Sequence, residues 1–180
     1  MTKAELIEQL EGTAPALKGK LRVERIYYQK KTNKAYMSFL SDELVGEKEY
    51  LLLEERLRAL FPELSVALRV ASPGLAQDFL SGVERYQTVL KDFLRRQSPA
   101  MRAWLDDTGW TLAGERLLIT CPDETALSFF RARGLEGRLE QAVYDIFRTR
   151  VRVELTVCGE REKWVQDMRK ARGFVAPPPP

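Results

Sequence analysis

The chain has 180 residues, 44% of them hydrophobic and 31% charged, and its 29 Lys and Arg against 26 Asp and Glu leave a net charge of only +3. That hydrophobic fraction at so low a net charge excludes a wholly disordered chain, and the length suits one medium domain or two small ones. No apolar run approaches the roughly 18 residues of a membrane span, no charged start leads into an apolar signal stretch, and two cysteines are too few for a disulfide framework. A cytoplasmic protein with its own core and no membrane partner is expected.

Residues 4–10 have the composition of a short helix, and Gly12 to Lys20 reads as a polar connector. Leu21 to Gln29 begins with strand alternation, and Lys34 to Leu40 sets Ala35, Met37 and Phe39 on one face. The intervening Lys-Lys-Thr-Asn reads as a hairpin turn, with Asn33 suited to positive φ. Glu47 to Phe61 carries a helical stripe (Tyr50, Leu53, Leu57, Leu60, Phe61) that Pro62 ends. Leu64 to Val70 alternates again. The first unit therefore reads α-β-β-α-β over residues 1–71.

After Ser72-Pro73-Gly74 the pattern predicts one long connecting helix over 75–96, its apolar face running from Leu75 and Phe79 through Val83, Tyr86 and Leu90 to Phe93 and Leu94. Ser98-Pro99 starts a second helix that ends near Asp107-Thr108-Gly109. Strands are predicted at 110–112 and 116–121, then a helix capped by Asp123, a break from Gly134 to Gly137, another helix through Phe147, and a last strand on Val151, Val153, Leu155 and Val157. Counting the long helix, the second unit reads α-α-β-β-α-α-β, and its own subdomain spans residues 98–160. Residues 161–180 hold a charged helix and then a Pro-rich linker start. The predicted fold class is mixed α/β (α+β), with two small subdomains joined by the long helix and no internal sequence repeat.

The composition removes several chemistries. With no histidine, triads and imidazole bases are excluded, and two cysteines 37 positions apart cannot form a Cys-rich zinc site. Neither G-x-x-x-x-G-K-[ST] nor G-x-G-x-x-G occurs. Asp106-Asp107 and Glu54-Glu55 are adjacent carboxylates, but neighbouring helical positions point about 100° apart, so neither pair converges on one ion. No catalytic residue, metal or cofactor is expected, and no small-molecule substrate. Cys121 and Cys158 both read as inward-facing strand residues, that is, buried thiols.

Three segments could bind nucleic acid. Gly134-Leu135-Glu136-Gly137 is a G-x-x-G between two helices flanked by strands, the layout of a KH domain whose loop clamps a phosphate backbone. The plainer alternative is a C-cap glycine followed by a turn glycine, and the carboxylate of Glu136 favours it by repelling phosphate. Six arginines (Arg131, Arg133, Arg138, Arg148, Arg150, Arg152) against Glu136, Glu140 and Asp145 give the segment a net +3. Arg150 and Arg152 alternate with Val151 and Val153, so both should leave the solvent face of the last strand. A phosphate-binding stripe and an ordinary solvated face stand level as readings. In the hairpin, Tyr27, Tyr28 and Tyr36 interleave with Lys30, Lys31 and Lys34. Such a mixture can stack bases and hold phosphates, although tyrosines covering a core edge beside solubilising lysines are the more ordinary case. Residues 1–71 carry 12 basic and 11 acidic groups, too even a balance for tight DNA binding.

The succession VERIYYQKKTNKAYMSF, YLLLEERLRALFP, LSVALRV and LRRQSPAMRAWLDDTGWTLAGERLLITCPDETALSFFR resembles the N-terminal region of PolC-type DNA polymerase III alpha subunits, the replicative polymerases of low-GC Gram-positive bacteria. The resemblance spans roughly residues 20–172 and rests on the order of elements and scattered positions. It implies two small N-terminal domains, the second KH-like and similar to the C-terminal, protein-binding domain of the clamp-loader tau subunit. The family's basic hairpin matches Lys30, Lys31 and Lys34. Its polymerase and 3'-5' exonuclease carboxylates lie in domains outside this chain, so no catalytic role carries over, and the ending GFVAPPPP fits a chain stopped at the family's linker. The implied function is a non-catalytic module tethering a replicative polymerase to replisome proteins (the clamp loader or other polymerase-associated subunits), with weak single-stranded DNA contact through Lys30, Lys31, Lys34, Arg138, Arg150 and Arg152 and the loop glycines Gly134 and Gly137. The alternative is a stand-alone KH-like nucleic-acid-binding protein.

Overall fold

The computed structural model describes residues 1–159. Thr2 accepts a hydrogen bond from the Glu5 N–H while the Glu5 carboxylate accepts one from the Thr2 N–H, a reciprocal cap that opens helix α1 (Lys3–Thr13). Strand β1 (Leu21–Gln29) pairs antiparallel with β2 (Lys34–Ser41). Helix α2 (Glu47–Leu60) then crosses over, and β3 (Ser65–Ala71) joins the free side of β2 in parallel. Burial along β2 alternates without a fault, Ala35, Met37, Phe39 and Ser41 facing in. These meet Leu6 and Leu10 of α1, Leu53 and Leu57 of α2 and Leu68 of β3. Each of the Leu, Met and Phe side chains contributes about 1.5–3 kcal/mol when taken out of water.

The turn at the hairpin is a single 3-10 turn, Lys30–Thr32, followed by Asn33 at φ 50. The expectation for Asn33 therefore holds, and the local cause is visible. Asn33 Nδ2 donates to the Glu63 carbonyl, and the Tyr28 hydroxyl donates to Asn33 Oδ1 at 2.8 Å. The opening alternation of β1, Leu21 and Val23 against Arg22 and Glu24, is present but does not continue. Its register slips between Val23 and Arg25, so Ile26 and Tyr28 fall opposite Met37 and Ala35 at the edge of the sheet, where both remain exposed.

The continuous helix over 75–96 is a correction. A 3-10 turn at Pro73–Leu75 leads into α3 (Ala76–Ser81), which stops at Gly82 in extended conformation. A second turn then returns the chain to α4 (Gln87–Gln97). Phe79, Val83, Tyr86, Leu90 and Leu94 keep a three-to-four spacing because both helices and the turn between them bury one common face, so the apolar period runs unbroken through a broken hydrogen-bond ladder. These residues do not bridge two units. They form part of the second core, where Phe79 stacks on Phe147 at 4.5 Å and Tyr86 meets Phe147 edge-on at 5.1 Å.

After a further 3-10 turn, Pro99–Met101, come α5 (Arg102–Leu105), β4 (Gly109–Ala113), β5 (Arg116–Cys121), α6 (Glu124–Ala132), α7 (Leu135–Phe147) and β6 (Arg152–Val157). Strands β4 and β5 are antiparallel, and β6 lies parallel to β5 after the α6–α7 crossover. The described residues thus make a mixed α+β fold with two three-stranded sheets, ordered β1-β2-β3 and β4-β5-β6. The two sheets share one plan, a hairpin followed by a parallel strand reached through helix, which no sequence repeat announced. Residues 160–180, where the C-terminal helix and linker were expected, lie outside the described residues. No helix among the described residues is long and apolar enough to cross a membrane.

The two halves touch. The Ser72 N–H donates to the Ile146 carbonyl at 2.6 Å, and Ser72 Oγ to the Glu43 carbonyl at 2.8 Å. Arg148 pairs with Glu24 at 2.7 Å, Arg69 with Asp145 at 3.8 Å, and the Arg96 guanidinium lies 4.1 Å from the Tyr50 ring centre.

Candidate nucleic-acid interface

Gly134 sits at φ +62, the left-handed residue that ends α6, and α7 begins at once with Leu135. Leu135 is fully buried, and Gly137 already lies in the first turn of α7. Arg138 turns back, its Nε donating to the Arg133 carbonyl at 2.9 Å and so satisfying one end carbonyl of α6. The G-x-x-G is therefore a tight helix-to-helix corner with an apolar anchor, and Glu136 occupies the first turn of α7 where a phosphate would approach.

The expected arginine stripe is divided. Arg152 begins β6 and is exposed, its Nε 3.9 Å from the Glu154 carboxylate, which also holds Arg116 at 2.5 Å. Arg150 precedes the strand instead of lying on it, and its guanidinium sits 5.8 Å from the Tyr144 ring centre. Arg148, at φ 56, is committed to Glu24 and flanks the same ring at 5.9 Å. Arg133 lies over Phe129 at 3.6 Å. Cations that looked contiguous in sequence are thus distributed over a helix end, a loop and a sheet edge, several with partners.

Lys30 and Lys31 project from the turn between β1 and β2, both exposed and without an ion pair among the described residues. Lys34 opens β2, its Nζ 5.0 Å from the Tyr36 ring centre. On the face of this sheet away from α1 and α2, Tyr27 stands opposite Tyr36 with ring centroids 6.0 Å apart, and Arg25 and Arg69 flank Ser38. Together with Ala67 these residues line an open depression of about 350 Å³. Residue-by-residue reading missed Arg25 and Arg69. The former is displaced by the β1 slip, and the latter enters only through the parallel pairing of β3, which local spacing does not reveal.

A second concavity, about 480 Å³, lies between the halves and is lined by Tyr50, Glu54, Arg69, Phe93, Arg96 and Asp145 among others. Burial pushes the Tyr50 phenol above its ordinary value, with the Arg96 charge opposing the shift, and the Tyr50 hydroxyl donates to the Leu68 carbonyl. The paired carboxylates are dispersed. Asp106 binds Arg95 at the end of α5, and Glu54 holds Arg58 at 3.0 Å. Among the described residues no three Cys, Asp or Glu side chains gather as a metal site. Cys121 is buried as expected, whereas Cys158 lies past the end of β6 and is exposed, because the strand stops at Val157. Trp110 is buried, its Nε1 donating to Thr108 Oγ1, and Trp104 stacks on Phe129. A scan against protein-family models matches none of them, and a search of curated proteins gives no match.

Proposed function

We propose that this chain is a non-catalytic interaction module of a PolC-type DNA polymerase III alpha subunit, its second half docking a replisome protein such as a clamp-loader subunit and its first half making weak contact with single-stranded DNA. The reading rests on the sequence resemblance and on one observation, the carboxylate of Glu136 in the exposed corner at Gly134–Gly137. A β-α-α-β run with parallel outer strands is the arrangement of a KH-like domain, and the nucleic-acid function of such domains depends on an open backbone clamp. Here Leu135 turns into the core, Arg138 is engaged with the Arg133 carbonyl, and Glu136 sets a negative charge beside the exposed glycines. A fold of this plan with an acid in its clamp suits protein binding, as in the tau-like domain that the resemblance brings with it.

Titrating the chain with purified clamp-loader tau subunit by interferometry tests the reading. A Kd below about 10 µM, roughly −7 kcal/mol, is expected. No binding to tau or to the other polymerase-associated proteins at that concentration rejects it. The competing KH-like reading is separated by Gly137→Asp. Open space surrounds Gly137, and an acid is favoured in the first turn of a helix, so the variant should fold. Unchanged DNA binding in that variant favours the tether, and lost binding favours the clamp. Magnesium-dependent nuclease or primer-extension activity that disappears on Asp106→Ala would count against the non-catalytic assignment.

A further inference from the structure

We propose that the face of the β1-β2-β3 sheet turned away from α1 and α2 is a stacking platform for a single-stranded nucleic acid. The strand register lays that face out as three rows. Gln29, Lys34 and Ser65 form one, Tyr27, Tyr36 and Ala67 the next, and Arg25, Ser38 and Arg69 the third. Rows two residues apart on a strand are separated by about 7 Å. An aromatic row therefore lies between two cationic ones, at a spacing that lets a base rest on a ring while the phosphates on either side reach a cation.

The side chains support this use. Tyr27 is 51% exposed although an aromatic ring gains from burial, and its ring stands 6.0 Å from that of Tyr36 at a tilt of 36°, so two ring faces are offered side by side. Small residues leave room above it, with Ala67 beside Tyr36 and Ser38 between the arginines. Among the described residues no carboxylate lines the depression. Arg25 has no ion pair among the described residues, and Arg69 is 60% exposed with Asp145 at a loose 3.8 Å. Lys34 covers the Tyr36 ring at 5.0 Å, a contact that a stacking base would replace while releasing the amine to the adjoining phosphate. Lys30 and Lys31 in the adjacent turn extend the positive edge. A partner that is flat, aromatic and polyanionic matches this face, and an unpaired strand is the polymer that has all three properties.

The proposal takes up the single-strand contact of the preceding reading, but its test uses no partner protein, so its failure leaves the protein tether standing. A fluorescein-labelled oligo-dT of about 12 nucleotides, within the site sizes of single-strand binders, is titrated with the full chain at two salt concentrations. Tyr27→Ala and Tyr36→Ala should each weaken binding about 5- to 150-fold, while Tyr27→Phe and Tyr36→Phe keep it. Arg25→Gln with Arg69→Gln should make the salt slope shallower by about 1.4. Both tyrosine positions lie on the solvent side of the sheet, and an unchanged thermal midpoint of the four variants verifies folding. Oligo-dT or oligo-rU binding through Tyr27 and Tyr36 supports the platform, and the tighter of the two identifies the natural strand. Equal affinity for a blunt duplex, no loss in the Tyr27→Ala/Tyr36→Ala double variant, or loss instead on substituting Arg138, Arg150 and Arg152 overturns it.

Discussion

Replacing Phe79 by Ala tests whether the segment after Ser72 is a spacer or part of a core. Phe79 is fully buried, stacked on Phe147 at 4.5 Å and edge-on to Tyr86 at 5.9 Å. Truncating a buried Phe costs about 3–5 kcal/mol, the upper part of that range applying where neighbours cannot collapse into the space. Collapse is hindered here, because Phe147 ends α7 and Tyr86 is fixed by its hydroxyl donating to Asp78. With a urea slope near 2 kcal/mol/M, the unfolding midpoint should fall by roughly 2 M. Tryptophan fluorescence is the natural probe, since Trp104 and Trp110 pack with this core and residues 1–71 contain no tryptophan. A spacer helix would behave as a surface, where substitutions stay within about 0.5 kcal/mol. A midpoint shift below about 0.3 M would therefore refute the assignment of α3 to the second core.

Asn33→Ala removes the side-chain bonds to Glu63 and Tyr28 and strains a left-handed residue, so a loss of about 1–3 kcal/mol in chemical denaturation is expected, with Asn33→Gly recovering the backbone part. Burial raises the Cys121 thiol from its usual value near 9 to about 11, so the unfolded chain loses this proton first and stability should decline as pH climbs from about 9 toward about 11, a decline absent in Cys121→Ala. At neutral pH a thiol reagent should label Cys158 quickly and Cys121 only on unfolding, which mass spectrometry of the modified peptides resolves. The Glu24–Arg148 pair joins the two halves at partly exposed positions, and a double-mutant cycle should return a coupling of about 0.2–1 kcal/mol that shrinks in salt.

What the sequence revealed and what it hid follow from the reach of each interaction. Asn33, β2 and Leu68 were legible because turn chemistry and two-residue alternation are local. The break at Gly82 was hidden, since apolar spacing records which face is buried and not whether the N–H groups between Phe79 and Tyr86 continue one ladder. The exposure of Cys158 depended on where pairing with β5 stops, and that is decided by a strand far away in sequence. The site divides in the same way. Tyr27, Tyr36 and Lys34 could be marked from composition, but their meeting with Arg25 needed a slipped register and their meeting with Arg69 a parallel crossover. Conversely, Gly134 and Gly137 attracted attention as a motif, and only the fold shows that Leu135 between them is an anchor of the second core while the glycines stay exposed.

The stacking of Phe79 on Phe147 also sets a timetable for synthesis. The first sheet and its helices are complete once Ala71 has left the ribosome, and no later strand among the described residues joins them. The apolar face of α3 and α4 comes next, yet its partner on α7 is roughly 70 residues further on, several seconds of elongation at about 5–20 residues per second. Through that interval a finished half is followed by a greasy, unpartnered stretch, the moment at which a nascent chain most needs a chaperone or a slow codon run. The Ser72-to-Ile146 hydrogen bond can close only afterwards, and it marks the point at which the two halves become one body.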